Sequence, residues 1–231
     1  DFMKYLITSV VIILMFLGAC KKDSDSAVPD THGNFMFVNA VPGTEQFSVR
    51  LDTNIIGSVA YGQNTGYKTF RAQKYNVVIT ASSNPNIVLY NEELFLRNNR
   101  YYSAYLGADS TDRGLWLFLV EDDLTPAPDG QAKFRVIDFS QGFNANRTSL
   151  GIDVYSDTFP RFFRGMTAPS YSAFVPLFQD SAYKLNIRVT DSARVLKTVD
   201  FPTQTGKIYT LITTGQPFDP ARFNTITVQH N

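Results

Sequence analysis

From residue 33 onward the chain runs in short apolar or alternating stretches separated by Gly, Pro, Asn and Asp. Phe35-Met-Phe-Val-Asn-Ala40 reads as a strand, and Pro42-Gly43 turns the chain. Phe47-Ser-Val-Arg-Leu51 alternates with period two, as a strand with one buried face must. Tyr75 to Thr80, Ile87 to Tyr90, Arg100 to Leu106 and Leu115 to Val120 come next at short spacing, with turn residues at Asn98-Asn99 and Asp112-Arg113-Gly114. No stretch after residue 20 carries a helical period. The pattern predicts an all-β domain of about seven strands over 33–122.

Asp122 to Gly130 breaks this rhythm with Pro126-Ala-Pro-Asp-Gly130, and 123–131 reads as a linker. Beyond it the second half of the chain echoes the first. Phe134-Arg-Val-Ile-Asp-Phe139 answers Phe35 to Ala40, and Ile152-Asp-Val-Tyr155 answers Val49-Arg-Leu-Asp52. Leu185-Asn-Ile-Arg-Val-Thr190 answers Tyr75 to Thr80, and Gly206 to Gly215 answers Asn99 to Gly107. The order is kept at a period of about one hundred residues, which argues for a second sandwich over 132–231 rather than a solenoid of short units.

Phe35-Met-Phe-Val-Asn-Ala-Val-Pro-Gly43, a strand ending in Asp52, and Arg100-Tyr-Tyr-Ser-Ala-Tyr-Leu-Gly107 together resemble the DUF4397 domain. In that family an Arg-Phe-Val-His-Ala-like strand precedes a Pro turn, a Val-Asp-Val-like strand and a later Tyr-Thr-Val strand. The resemblance covers about 33–121 well. It is looser over 132–231, where Gly142 to Ser149 reads as an insertion and the Pro turn is missing. It implies two tandem immunoglobulin-like or transthyretin-like β-sandwiches and no agreed activity. Asn39 stands where the family often has His, so no role of that His carries over.

The first thirty residues differ in kind. Lys4 supplies a positive charge ahead of Tyr5 to Leu17, a thirteen-residue stretch without a charge. That is short of the ~20 apolar residues of a membrane span, but it fits the apolar region of a signal peptide. Met3 reads as the start residue. Leu17-Gly18-Ala19-Cys20 resembles the lipobox of bacterial lipoproteins: small residues let a peptidase approach, and the Cys20 thiol takes the lipid. The expected parts are a signal peptide over 1–19 and a polar tether over 20–32. Lys21-Lys-Asp-Ser-Asp25 resembles the export signal of surface lipoproteins of the Bacteroidetes. The expected place is the cell envelope, lipid-anchored in the outer membrane, on its periplasmic or outer side. The chains on such a cysteine add ~0.8 kcal/mol of membrane affinity per buried CH₂.

Composition narrows the chemistry. Aromatic residues make up 14% of the chain, which suits half-buried sheet surfaces. With 21 basic and 21 acidic residues and no basic run, nucleic-acid binding is not expected. A single cysteine excludes an intrachain disulfide, and His32 and His230 near opposite ends offer no imidazole cluster for a metal. No Gly-x-Ser-x-Gly elbow or phosphate loop occurs, and no cofactor is expected. Glu92-Glu93 and Asp122-Asp123 read as solvated turn and edge charges, because strand neighbours point to opposite faces. Asp109 to Gly114 reads as a hairpin loop rather than a calcium loop, and Tyr101, Tyr102 and Tyr105 read as packing.

Two sets of residues remain as candidate sites. Ser26, Ser110, Ser181 and Ser192 each follow Asp and precede Thr or Ala, which resembles the O-glycosylation signal of exported Bacteroidetes proteins. Phe162 and Phe163, flanked by Arg161 and Arg164, could form a ligand platform, since aromatic and Arg side chains dominate binding hot spots; the favoured reading packs them in a core or domain junction. The expected function is a noncatalytic envelope module that binds a glycan or envelope protein, or serves structurally. The alternatives are a subunit of a surface fibre or adhesin, which needs an open edge strand, and a carboxylate-dependent polysaccharide hydrolase.

Overall fold

A computed structural model describes residues 30–109, 114–157, 161–177 and 182–231. Leu17, Gly18, Ala19, Cys20, Ser26, Ser110 and Ser181 lie outside the described residues. Among the described residues the fold is all-β, with one 3-10 turn at Pro128–Gly130.

The first sandwich is two four-stranded sheets. One holds β1 (His32–Ala40), β4 (Lys68–Arg71), β7 (Tyr101–Ala108) and β8 (Leu115–Asp122) in the order β4-β1-β7-β8, with β1 parallel to β7. The other holds β2 (Phe47–Leu51), β3 (Asn54–Val59), β5 (Lys74–Ala81) and β6 (Asn84–Phe95) in the order β3-β2-β5-β6. Period-two alternation builds the core between them: Phe35 and Phe37 from β1, Val49 and Leu51 from β2, Val77 and Ile79 from β5. That makes eight strands where the pattern predicts about seven. The hidden ones are β3, interrupted by Gly57-Ser58, and β4, an edge strand whose only apolar residue is Phe70. β1 starts at His32, the last residue of the expected tether.

The second sandwich repeats this topology strand for strand. β9 (Ala132–Ser140), β16 (Ile208–Gly215) and β17 (Asn224–Gln229) stand for β1, β7 and β8, and β9 is again parallel to β16. The place of β4 is shared by two short strands on β9, β12 (Ser170–Tyr171) and β13 (Val175–Leu177). β10 (Gly151–Ser156), β11 (Phe163–Thr167), β14 (Ala182–Val189) and β15 (Val195–Pro202) form the facing sheet in the order β11-β10-β14-β15.

A third core joins the two. β1 and β9 are buried on both faces, which explains the apolar run Phe35-Met-Phe-Val38 in β1, whereas β9 also buries Lys133, Arg135 and Asp138. The residues that point away from each sandwich's own core meet one another: Met36, Val38, Ala40, Tyr105 and Val120 from the first, Ile137, Phe139, Ile212, Ile226 and Val228 from the second. Phe139 is fully buried and lies on the backbone of Gly107, where a Cβ would come within 2.3 Å of its ring. Its ring stacks against Phe118 at 5.3 Å and Trp116 at 6.4 Å between centroids. The Thr214 hydroxyl donates to the Ala40 carbonyl at 3.0 Å across the same boundary. Thr31–Asn231 accordingly forms one compact unit.

Candidate functional site

β9 buries three charged side chains, Lys133, Arg135 and Asp138, and alternation aims Arg135 into the junction with Ile137 and Phe139. A buried guanidinium needs a paired acceptor, and Asp122 at the end of β8 supplies it. Side-chain exposure is 2% for Arg135 and 0% for Asp122. Arg135 also donates to the Tyr105 hydroxyl at 2.8 Å and the Thr210 hydroxyl at 3.0 Å, and its guanidinium lies 4.6 Å from the Phe174 ring centre. Burial alone would lower the Arg135 pKa, but Tyr105 and Asp122 outweigh it and hold the group more basic.

His230, just after β17, closes the network. Its Nε2 is 2.7 Å from the Thr210 hydroxyl and its Nδ1 is 2.8 Å from the Tyr67 hydroxyl. Burial pulls its pKa down to about 4, against the attraction of Asp122, so the ring is neutral near pH 7. Proton counting then assigns the tautomer. Tyr67 and Ser103 donate their hydroxyl protons to Asp122 Oδ2. The single Tyr67 proton is committed to Asp122, so the His230 proton sits on Nδ1, facing the Tyr67 oxygen, and Nε2 accepts the Thr210 proton. Burial and the Asp122 charge raise the Tyr67 pKa far above its ordinary value. The network clamps the sandwiches together.

One expectation is corrected by this geometry. Asp122 is not a solvated edge charge: strand neighbours do point opposite ways, which buries Asp122 while Asp123 stays 68% exposed beside Lys133. His230 is a buried member of the junction. Glu92 and Glu93 are exposed on β6, and Glu93 pairs with Lys74. Tyr102 and Tyr105 are buried, and Tyr101 packs edge-on to Tyr67.

At the opposite ends of the same strands the junction opens into a cleft of about 490 Å³. It is lined by Val41 and Pro42 after β1, Leu115 at the start of β8, Gln141 after β9 and Asn224 at the start of β17, with Tyr61 and Arg222 at its sides. Gly215 is obligatory in its wall: its φ is +83°, and a Cβ there would lie 1.9 Å from the Arg222 carbonyl. The Tyr61 hydroxyl is buried without a hydrogen-bond partner among the described residues. Burial raises its pKa, partly countered by the Asn224 side chain. None of the described lining residues is a carboxylate, imidazole or thiol. Such a lining can hold a polar ligand by amide, hydroxyl and guanidinium groups over an apolar floor.

The other candidate residues are dispersed. The rings of Phe162 and Phe163 turn inward and pack edge-on to Phe134 at 5.2 and 5.3 Å, half-buried against the second core. Arg161 and Arg164 stay outside and reach Asp153 at 3.5 Å and Asp191 at 2.9 Å. Ser192 is exposed in the β14–β15 turn, where its hydroxyl accepts the Arg194 N–H at 3.1 Å. Among the described residues no three His, Cys, Asp or Glu side chains gather as a metal site. Asn39 is fully buried, its side chain bound to the Val59 carbonyl and the Val41 N–H. The clamp was the part that pattern reading missed; its one signal was a charged residue, Arg135, inside a strand buried on both faces.

These features define an all-β protein of paired sandwiches with a clamped junction. Residues 33–145 match the family model described as Domain of unknown function (DUF4397). The match runs beyond the first sandwich through β9, so it takes in both Asp122 and Arg135. No curated protein matches the chain. Among solved structures, the Bacillus anthracis TIE protein aligns with TM-score 0.23 and 10% identity over 80% of this chain, which spans about a third (34%) of that one. The family 26 carbohydrate-binding module of Eubacterium rectale Amy13K, solved with maltoheptaose, aligns with TM-score 0.26 and 10% identity over 85% of this chain and 96% of the other. A candidate cell adhesion protein from Bacteroides eggerthii aligns with TM-score 0.23 and 10% identity over 88% and 97%. Likenesses this slight carry no argument about what the chain binds.

Proposed function

We propose that this protein is a lipid-anchored component of the cell envelope whose paired sandwiches act as one noncatalytic binding unit, with the junction cleft holding a glycan or a segment of an envelope protein. The observation that carries the reading is the junction itself. A shared core and a buried ion pair fix its walls, and its open end is lined, among the described residues, by amide, hydroxyl and guanidinium groups. The Leu17-Gly18-Ala19-Cys20 signal supports the anchor. Binding to an array of glycans and envelope proteins tests the cleft: Tyr61→Ala and Asn224→Ala should each weaken binding at least several-fold with the fold intact. Hydrolytic turnover on pooled polysaccharides, with no binding on the array, would replace this reading with the hydrolase one. For the anchor, Cys20→Ala should abolish palmitate incorporation and membrane partitioning; retention of both would refute it.

A second reading, a subunit of a surface fibre or adhesin, is favoured by one observation. β6 is a twelve-residue edge strand with Ile87, Val88 and Phe95 exposed by 53%, 49% and 60%, the kind of edge that accepts a strand from another chain. Light scattering tests it: concentration-dependent assembly abolished by Val88→Lys supports the fibre reading, and a monomer at all concentrations rules it out.

A further inference from the structure

The outer face of the β11-β10-β14-β15 sheet holds a second polar arrangement, independent of the cleft. Tyr155 of β10 carries two guanidiniums near its ring, Arg188 of β14 at 4.7 Å and Arg161 at 5.9 Å from the centroid. The two arginines are in different states. Arg161 is neutralised by Asp153, 3.5 Å away. That carboxylate is otherwise held inside the fold, accepting the Gly165 N–H at 2.7 Å and the Thr190 hydroxyl at 2.9 Å. Burial would raise the Asp153 pKa, but these donors and Arg161 outweigh it and keep the group ionised.

Arg188 lies directly across the β10–β14 ladder from Asp153, yet leans away over Tyr155 and makes no hydrogen bond or ion pair among the described residues. Its Nε is buried and has no acceptor. Nearby, Asp157 accepts from Asn186, whose carbonyl takes the Thr198 hydroxyl; Arg164 pairs with Asp191; Lys197 donates to the Phe223 carbonyl. Lys184 and Asp200 are register partners on the β14–β15 ladder. Arg188 is thus a half-buried guanidinium with no hydrogen-bond or ion-pair partner among the described residues, and stacking on Tyr155 orients its planar fork. Local violations of charge pairing of this kind concentrate at binding sites.

We infer that Arg188, oriented by Tyr155 and flanked by Arg161, forms an oxyanion site on the outer face of the second sandwich that takes the carboxylate of an acidic sugar. A planar carboxylate fits because a guanidinium fork with no partner of its own binds it edge-on through two parallel hydrogen bonds. Together with the cleft, the site gives the unit two separate contacts with one extended acidic glycan or with two ligands.

The test is thermophoretic binding of a galacturonate oligomer to the full chain in detergent micelles. An uncharged maltose oligomer and inorganic sulfate serve as the other arms. The galacturonate oligomer should bind saturably, weaken with added salt, and outcompete sulfate, while the maltose oligomer does not displace it. Arg188→Gln should weaken binding at least tenfold and Arg188→Lys nearly as much, because lysine lacks the fork. Tyr155→Leu, which keeps the charge and frees its orientation, should weaken it several-fold. Arg164→Gln, already matched by Asp191, should leave it unchanged, and monogalacturonate, too short to reach the cleft as well, should show the same loss with Arg188→Gln, which separates failure of this site from failure of the cleft reading. Equal binding by Arg188→Gln and the parent, preference for sulfate, or no binding of the acidic oligomer overturns the assignment. Near-ultraviolet circular dichroism confirms that each variant is folded.

Discussion

Asn39 and Asp138 occupy the same place in the two sandwiches, one residue before the end of β1 and two before the end of β9, each fully buried. Both side chains cap the turn at the strand end, accepting the backbone N–H two residues on at 2.9 Å. They differ at the other end of the side chain. The Asn39 amide donates to the Val59 carbonyl at 3.1 Å and is complete. An ionised Asp138 has nothing to donate. The Thr213 hydroxyl serves its Oδ1 at 2.7 Å, while Oδ2 has no partner among the described residues, as do the buried hydroxyls of Ser140 and Ser170 on the same face of the sheet. Burial lifts the Asp138 pKa to about 6, against the pull of the Ser140 N–H and the Thr213 hydroxyl. One topology thus closes its first copy with a neutral amide and its second with a titratable acid.

The largest expected effect lies where the copies meet. Arg135→Met leaves Asp122 buried without its counter-charge and should destabilise the fold by about 3–5 kcal/mol, while Asp122→Leu combined with Arg135→Met should recover much of the loss. Urea titration followed by fluorescence measures both. A double variant no more stable than Arg135→Met would show that the pair does not act as a unit. Phe139→Ala should cost about 3–5 kcal/mol by emptying the slot over Gly107, and should split unfolding into two transitions if the third core couples the sandwiches.

The pH response sharpens the Asn39–Asp138 contrast. His230, with its pKa lowered from 6.5 to about 4, withdraws stability as the pH falls through that window, since the unfolded chain binds the proton first. Asp138, raised from 3.8 to about 6, acts oppositely: it withdraws stability as the pH rises from about 4 to 6. Each effect is worth about 3 kcal/mol, so they largely offset one another in the parent. Asp138→Asn should therefore raise stability near pH 7 by about 2–3 kcal/mol and uncover a steep loss below pH 6. A flat profile in that variant would mean that His230 is not held neutral. Asn39→Asp, the reverse exchange, should cost about 1–3 kcal/mol at pH 7 by stranding the Val59 carbonyl. The smallest effect is expected for Arg164→Gln, with no measurable shift of the urea midpoint, because its pair with Asp191 is exposed to solvent.

Much of the fold could be read along the chain because period-two alternation is local. Phe47 to Leu51, Tyr75 to Thr80 and their later counterparts fall in the strands expected of them, and the shared order of features reappears as the same strand order in both sandwiches. β3 and β4 escaped because edge strands need few apolar residues. The doubly buried β1 and β9 were visible as strands, but nothing in their apolar runs says what covers the second face.

What the sequence determined by itself was the β class, the repeat and the character of Cys20 as the chain's only thiol. The tertiary structure alone decided which charges are inside. Asp122 meets Arg135 because two sheets from different halves pack face to face, and His230 meets Tyr67 because the last strand ends beside β4. Arg188 is left unmatched because Asp153 is already satisfied by Arg161, Gly165 and Thr190. Alternation along a strand determines which side a residue faces; only the packing of whole sheets determines what it finds there.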